Sequence, residues 1–415
     1  MNAKSCADAF ARALPGLPGG ERSELASLRR AALERFKKAG FPTTQDEDWR
    51  FTDLSPALAK PFEPTLDWAK VPAIGERPRF GARLVFVNGR FAPELSDKPA
   101  AHVRPLSEVL RETPKPVDPR MADGEGALAS LNTAFFSDGA LVRLTGETPA
   151  VHLLFLTGGA AGTPPMIHTR VLVLTERGSR GLVVEEHAGL GGTYFSNHVA
   201  EVFAAEGASV EHVRIQNEGL EAFHVSSTRA RLAKDARYAA HAFGLGAALS
   251  RSDVLCRLEA EGADCSLNGL YLASGTQHAD HHTRVIHERP HGSSRELYKG
   301  ILDGKARAVF DGAIEVTPDA QKTDAKVYNK NLLLSETALI NTKPEFKIHA
   351  NDVQCKHGAT VGQLSSDALF YLRSRGIGAV EARNLLVHAF AGEMLAALPE
   401  MLREPLNAAI DARLP

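Results

Sequence analysis

Cys355 and His357 stand two residues apart in the segment Asn351 to Ile377, NDVQCKHGATVGQLSSDALFYLRSRGI. Strand side chains alternate with period two, so a strand here puts a thiol and an imidazole on one face. That pair suits Zn²⁺, Fe²⁺ or an iron–sulfur cluster, but a complete site takes about four ligands. The pair is therefore half a metal site or a purely structural feature. Its other half must come from elsewhere in the chain, from a second chain, or from nothing at all.

A second concentration of donors is His278, Asp280, His281 and His282, with His287 and His291 close behind. Adjacent strand residues face opposite ways, so His281 and His282 do not share an ion unless a turn intervenes. The alternative is a polar rung or loop. Cys256 and Cys265 lie in strand-like runs and read as small buried apolar residues. Nucleotide and hydrolase signatures fail: Gly300 to Ala306 (GILDGKA) has three residues between its glycines where a phosphate loop needs four, and Ala306 replaces the Mg²⁺-binding Ser/Thr. There is no G-x-S-x-G, H-E-x-x-H or C-x-x-C. No spacing singles out a carboxylate pair for glycoside cleavage. With no self-contained active site, a binding or scaffold role is favoured over an enzyme, and no nucleotide is expected on this chain.

The elements that must position these residues belong to a chain of 415 residues, long enough for two or three structural units. With 48 Lys+Arg against 50 Asp+Glu there is no electrostatic pull toward nucleic acid or an anionic membrane. Two Trp and six Tyr leave few stacking platforms for single-stranded nucleic acid or sugars. Four cysteines (Cys6, Cys256, Cys265 and Cys355) fit a reduced compartment, and no apolar run reaches membrane-spanning length. The expectation is a cytoplasmic protein.

Residues 21–40 read as an amphipathic helix stopped by Gly40 and Pro42, followed by Asp46-Glu47-Asp48-Trp49-Arg50-Phe51-Thr52 as a surface element whose aromatics anchor it. LVFVNGRF, Leu84 to Phe91, reads as a hairpin about Asn88-Gly89. Pro114, Pro116 and Pro119 mark a linker. From about 140 to 350 short strand-like runs are cut by Gly, Asp or Asn. AEGASVEHVRIQ, AKDARYAAHAFGLG and AEGADCSLNGLYLA start at Ala205, Ala233 and Ala260, 28 and then 27 residues apart. That period suits stacked supersecondary units, a parallel β-helix or solenoid, with a jelly roll or other Greek-key sheet as the alternative. After Gly362 helices return: one capped by Ser365 or Ser366, one from Ala379 to about Leu398 with Val380, Leu385, Leu386, Ala389, Phe390 and Leu395 as its apolar stripe, and a short one over roughly 404–414. Their apolar surface is expected to meet the solenoid end or another protein.

DVQCKHGATVGQLSSDALFYLRSRGI resembles the C-terminal signature of the SufB/SufD family of the SUF iron–sulfur cluster assembly machinery. Asp46 to Thr52 (DEDWRFT), Leu84 to Phe91, Leu131 to Gly139 (LNTAFFSDG), Ser294 to Gly312 (SRELYKGILDGKARAVFDG) and Asn329 to Pro344 (NKNLLLSETALINTKP) resemble it too, in order along nearly the whole chain. The later blocks are shared with the SufB branch, while the C-x-H-G-A-T segment and the N-terminal half resemble the SufD branch.

The resemblance implies a mainly β fold: an N-terminal helical region (1–80), a hairpin and linker region (81–140), a right-handed parallel β-helix core (141–362) and a C-terminal helical domain (363–415). It implies pairing with SufB and with two copies of the ATPase SufC, or a homodimer of the isolated chain. It implies that His357, with Cys355 as neighbour, helps hold a transient iron–sulfur cluster or iron at the SufB interface. It places SufC docking on the C-terminal helices, at Phe370, Tyr371, Leu372, Arg373, Ser374, Arg375 and Gly376.

Overall fold

The computed structural model describes residues 1–20, 23–64, 76–112, 118, 121, 126–159 and 162–414. Pro114, Pro116 and Pro119 of the expected linker lie outside the described residues. The N-terminal part carries α1 (Ala3–Ala13), α2 (Ser23–Ala39), α3 (Ser55–Leu58), β1 (Glu63–Pro64), β2 (Ala82–Val87), β3 (Arg90–Phe91), β4 (Val103–Pro105), α4 (Leu106–Glu112) and α5 (Ala127–Phe135). Sixteen strands then alternate between two sheets. One sheet contains β5 (Asp138–Leu144), β7 (Pro165–Thr175), β9 (Tyr194–Ala204), β11 (Ala222–Leu232), β13 (Leu249–Leu258), β15 (His278–His287), β17 (Arg307–Val316) and β19 (Leu339–Ile348). The other contains β6 (Val151–Thr157), β8 (Arg180–Gly189), β10 (Ser209–Asn217), β12 (Arg237–Gly244), β14 (Asp264–Ala273), β16 (Ser293–Leu302), β18 (Asp324–Leu333) and β20 (Gln354–Gly362). Three C-terminal helices follow: α6 (Ser366–Ser374), α7 (Ala379–Ala396) and α8 (Glu400–Asp411).

From β5 to β18 each strand pairs in parallel with the strand two further on, which makes a β-solenoid of about eight turns and excludes the antiparallel jelly-roll alternative. The sequence repeat coincides with the structural one. Ser209, Arg237 and Asp264, each four residues past a repeat start, are direct partners across β10, β12 and β14. The physical cause is a corner. Gly207, Asp235 and Gly262 all have positive φ, and Gly207 N–H donates to Lys234 O, Asp235 N–H to Glu261 O and Gly262 N–H to Pro290 O. A left-handed residue favours Gly or Asp. Stacking that corner from turn to turn repeats the signature.

The sequence-predicted hairpin forms, with φ of 46° at Asn88 and 76° at Gly89, as a two-residue turn between antiparallel β2 and β3 requires. It is also part of the solenoid wall, since β2 pairs in parallel with β6, and β4 adds antiparallel to β5.

Helices cover both outer flanks. Phe10, Phe36 and Phe135 of α1, α2 and α5 pack on Met166, Phe195, Phe223 and Leu249. On the opposite sheet Val213, Phe243, Leu270 and Ile301 receive Val387, Ala391 and Met394 of α7 and Leu402, Leu406 and Ile410 of α8. Burying each such aliphatic side chain contributes about 1.5–3 kcal/mol.

Three local expectations are corrected here. The C-terminal helices cover a flank of the solenoid and not its end. The fully buried face of α7 is Ala382, Val387, Ala391 and Met394; Phe390 and Leu395 of the expected stripe pack beside it, while Val380 (62% exposed) and Leu385 (46%) face outward. Glu381, Arg383, Asn384, His388 and Glu393 are spread around α7 rather than gathered on one side, so periodicity did not specify its face. α8 begins at Glu400 and contains Pro405, not near residue 404. Pro405 lacks the N–H that would reach back to the carbonyl of half-exposed Met401, and the Leu402, Leu406, Ile410 stripe holds the helix across it.

Candidate functional site

β20 is the last strand of its sheet and pairs only with β18, in the register Ala325↔Cys355 and Val327↔His357. Ala325 and Val327 belong to the core that fills the solenoid lumen, so Cys355 and His357 share the lumen-facing side of the final turn. The period-two reading of C-x-H therefore holds. No further turn covers them: His357 is exposed and Cys355 partly buried.

The neighbouring edge strand β19 orients the imidazole. Phe346 stacks on His357 with centroids 4.8 Å apart and planes at 22°. His357 Nδ1 lies 3.2 Å from the carbonyl oxygen of Pro344. A carbonyl only accepts, so Nδ1 carries the hydrogen and Nε2 presents its lone pair outward, the form that ligates metal. Burial, and then Asp324, push the Cys355 thiol up. It becomes a thiolate when a metal or a cationic partner draws the proton off.

Sequence reading did not find Phe346 and Pro344. His357 lies eleven positions after Phe346 and on the other sheet, and only the closing of the last turn brings them together.

The residues expected to dock SufC lie on α6 and just past it. Phe370 is 75% exposed and Tyr371 57%, Arg375 lies 5.2 Å from the Tyr371 ring centroid, and Ser374 Oγ donates to Tyr371 O. Leu372 is partly buried, while Arg373, Ser374, Arg375 and Gly376 are exposed. With Val380 and Leu385 outward as well, this end of the helical layer shows water an unusual number of large apolar side chains. Polar joints tie the layer to the solenoid. Lys299 Nζ donates to Phe390 O at 2.8 Å and lies 2.7 Å from Glu393, and Arg383 pairs with Asp303 at 2.7 Å.

The histidines of His278 to His291 do not converge. His281 faces the lumen and stacks on Tyr271, centroids 4.8 Å apart, while His278 and His282 face outward. His291 occupies a positive-φ corner equivalent to Asp235, its N–H donating to Gln321 O. The outward side docks the Asp46 to Thr52 segment. Thr52 Oγ1 donates to Asp280 at 2.6 Å and lies 2.8 Å from His278 Nε2, Arg251 donates to both Asp280 and Asp48 O, and Trp49 covers the Arg251 guanidinium at 3.8 Å. Burial opposes a charged Asp280, but Arg251 and His282 outweigh it and hold the carboxyl well below the usual range. The aromatic Trp49 thus anchors the strap to the solenoid as well as to the helices. Cys256 and Cys265 are fully buried in the lumen core, as expected of small apolar residues.

The class the fold and site define is a long parallel β-solenoid flanked by helices and ending in an uncovered C-x-H strand. Comparison with known proteins makes this specific. The family "SUF system FeS cluster assembly, SufBD core domain" matches residues 155–390, and "SufBD protein N-terminal region" matches residues 3–149. An iron–sulfur cluster assembly SufBD family protein of Synechocystis sp. is 37% identical over 404 residues, 92% of this chain and 89% of its own. The iron–sulfur cluster assembly protein SufD of Escherichia coli is 32% identical over 393 residues, 92% of each. A chloroplastic protein of Arabidopsis thaliana, ABCI7, is 34% identical over 238 residues, 57% of this chain and 50% of its own. The chain belongs to the SufBD family of iron–sulfur cluster assembly proteins. Among the described residues, no helix is long and apolar enough to cross a membrane.

Proposed function

We propose that this chain is a non-catalytic, SufD-type subunit of a cytoplasmic iron–sulfur assembly scaffold, pairing with SufB through its open solenoid end and docking the ATPase SufC through α6 and the start of α7. The observation that carries the reading is the last turn. β19 and β20 leave one backbone edge each unpaired, Leu339, Ile348 and Val361 stand 40–49% exposed, and the C-x-H pair sits among them. Such an edge is a template for pairing with another chain.

His357 Nε2 and the Cys355 sulfur supply an imidazole and a latent thiolate, and SufB supplies the remaining ligands to a nascent cluster or to iron. Ligands shared between two chains release their cargo when the chains separate. Movement of SufC during ATP hydrolysis reaches the solenoid through the Lys299–Glu393 and Arg383–Asp303 joints. For that coupling, the two states of the pair must differ in affinity for SufC.

Co-expression with SufB and SufC, followed by anaerobic reconstitution, tests the reading. A stable complex is expected, with cluster yield falling sharply in His357→Ala and less in Cys355→Ala. Unchanged cluster assembly in His357→Ala cells would defeat the site assignment, and a failure to co-purify would defeat the pairing.

A further inference from the structure

The lumen holds a second set of ligand-type side chains, far from the open turn and unused by the reading above. Glu185 and His187 are two apart on β8, so both point inward, and His198 faces them from β9 in the opposite sheet. Glu185 Oε2 lies 2.7 Å from His198 Nε2 and 3.7 Å from His187 Nε2. All three donor atoms fall within 4.8 Å of one another, and the three side chains are at most 3% exposed. His187 Nε2, at 3.7 Å from Glu185 Oε2, is the more loosely engaged of the two imidazoles. A buried polar nitrogen so loosely engaged is costly, and a cation held among the three donor atoms would engage it fully.

Outer contacts hold these ligands in the orientation a metal needs. His198 Nδ1 is 2.8 Å from Thr169 Oγ1, which leaves Nε2 to face the cluster centre. Glu185 Oε1 is 3.0 Å from His212 Nε2, whose Nδ1 lies 2.9 Å from the Tyr238 hydroxyl, so Oε2 is the oxygen left for an ion. Phe155 stacks on the His187 ring, centroids 4.8 Å apart and planes at 11°, and fixes its plane. Partners on the far side of ligating imidazoles and carboxylates are the usual support of a metal centre. With bonds of about 2.1 Å, tetrahedral ligands stand about 3.4 Å apart, so small side-chain adjustments close the site.

We propose that Glu185, His187 and His198 form a buried two-imidazole, one-carboxylate site for a divalent transition-metal ion of the Zn²⁺ or Fe²⁺ class, joining the two sheets from inside the lumen. The donor set suits either ion, and a fourth position stays open to water. The ion takes the place of the proton otherwise shared between Glu185 and His198, and it engages His187 Nε2 fully. Because the ligands are sealed in the lumen, the metal loads as the chain folds.

The test is metal analysis of the purified full-length protein, together with unfolding in chelator and refolding with Co²⁺ as a visible probe. One tightly held equivalent of zinc or iron is expected, the element found distinguishing the two. The cobalt form should show d–d bands without thiolate charge transfer, and a higher Tm than protein refolded without metal. His187→Ala and His198→Ala should abolish the bands, and Thr169→Val should weaken cobalt affinity about 10–100-fold. The double variant Cys355→Ala/His357→Ala should leave them intact. A wild-type protein that purifies metal-free and gives no cobalt bands on refolding would overturn the proposal without recourse to any variant. So would bands that survive His187→Ala, or that vanish in the Cys355/His357 variant.

Discussion

At the N-terminal end of the solenoid the first turn is closed by β2, β3 and β4, and Leu84, Phe86 and Val103 from those strands fill the lumen beside Val142 and Phe155. At the C-terminal end β19 and β20 stop with no further strand paired to their outer edges, and polar Asn329, Asn331, Cys355 and His357 face the lumen there beside apolar Ala325, Val327, Ile340 and Phe346. One end spends local sequence on covering its edges, and the other leaves them in reach of a second chain. If the open end pairs as proposed, the difference separates residues that hold this fold from residues that serve assembly, and it makes opposite predictions for substitutions at the two ends.

The largest effect belongs to the closed end. Asp138, buried at the start of β5, accepts from Phe91 N–H, Ser107 N–H, Ser107 Oγ and Gly139 N–H at 2.8–3.1 Å, and so ties the hairpin, α4 and the first turn together. Asp138→Ala strands these donors in a dry interior, each costing about 1–3 kcal/mol. A loss of about 4 kcal/mol in urea unfolding is expected. A loss under about 1 kcal/mol would mean that the cap does not clamp the first turn.

How far each end was legible in the sequence follows from the same physics. The turns at Gly207, Asp235 and Gly262 announced themselves because a left-handed corner selects Gly or Asp. The next two corners use His291 and Lys322 at φ of 61° and 63°, so the repeat fades there and His291 passed as a candidate ligand. Cys355 and His357 were visible because strand spacing puts them on one face. Phe346, which orients His357, was not, since no local pattern says which residue of β19 meets which residue of β20. The lumen triad was hidden for the same reason: Glu185 and His187 share a strand, but His198 joins them only when the sheets face each other.

A second prediction concerns the polar stretch of lumen leading toward the open end. Glu296 on β16 is fully buried, and burial pushes its carboxyl up to about 8, with Thr283 opposing weakly. Between the ordinary value of 4.5 and about 8 the folded chain holds a proton that the unfolded chain has released. Stability from this group is therefore fully present below about 4.5 and is lost as pH rises toward about 8, by about 1.4 kcal/mol per pH unit. Glu296→Gln, which is neutral at every pH, should flatten the decline in urea midpoint from about pH 5 to about pH 8. An unchanged slope would place the titrating group elsewhere.

The smallest effect on stability, and the sharpest contrast with Asp138, belongs to the open end. Val361 is 49% exposed on the edge strand β20, and His357 keeps one face on Phe346 and the other to solvent. Neither substitution opens a cavity or strands a buried donor, so Val361→Lys and His357→Ala should each shift the unfolding free energy of the isolated chain by no more than about 0.5 kcal/mol. An edge lysine is nevertheless a common way of preventing strand-to-strand association. Val361→Lys should therefore abolish co-elution with SufB in size-exclusion chromatography, while His357→Ala keeps the complex and loses the cluster. The two variants separate pairing from ligation at one edge. If Val361→Lys destabilises the isolated chain as Asp138→Ala does, the final turn is structural and the contrast between the ends fails; if it leaves the complex intact, the partner does not meet this edge.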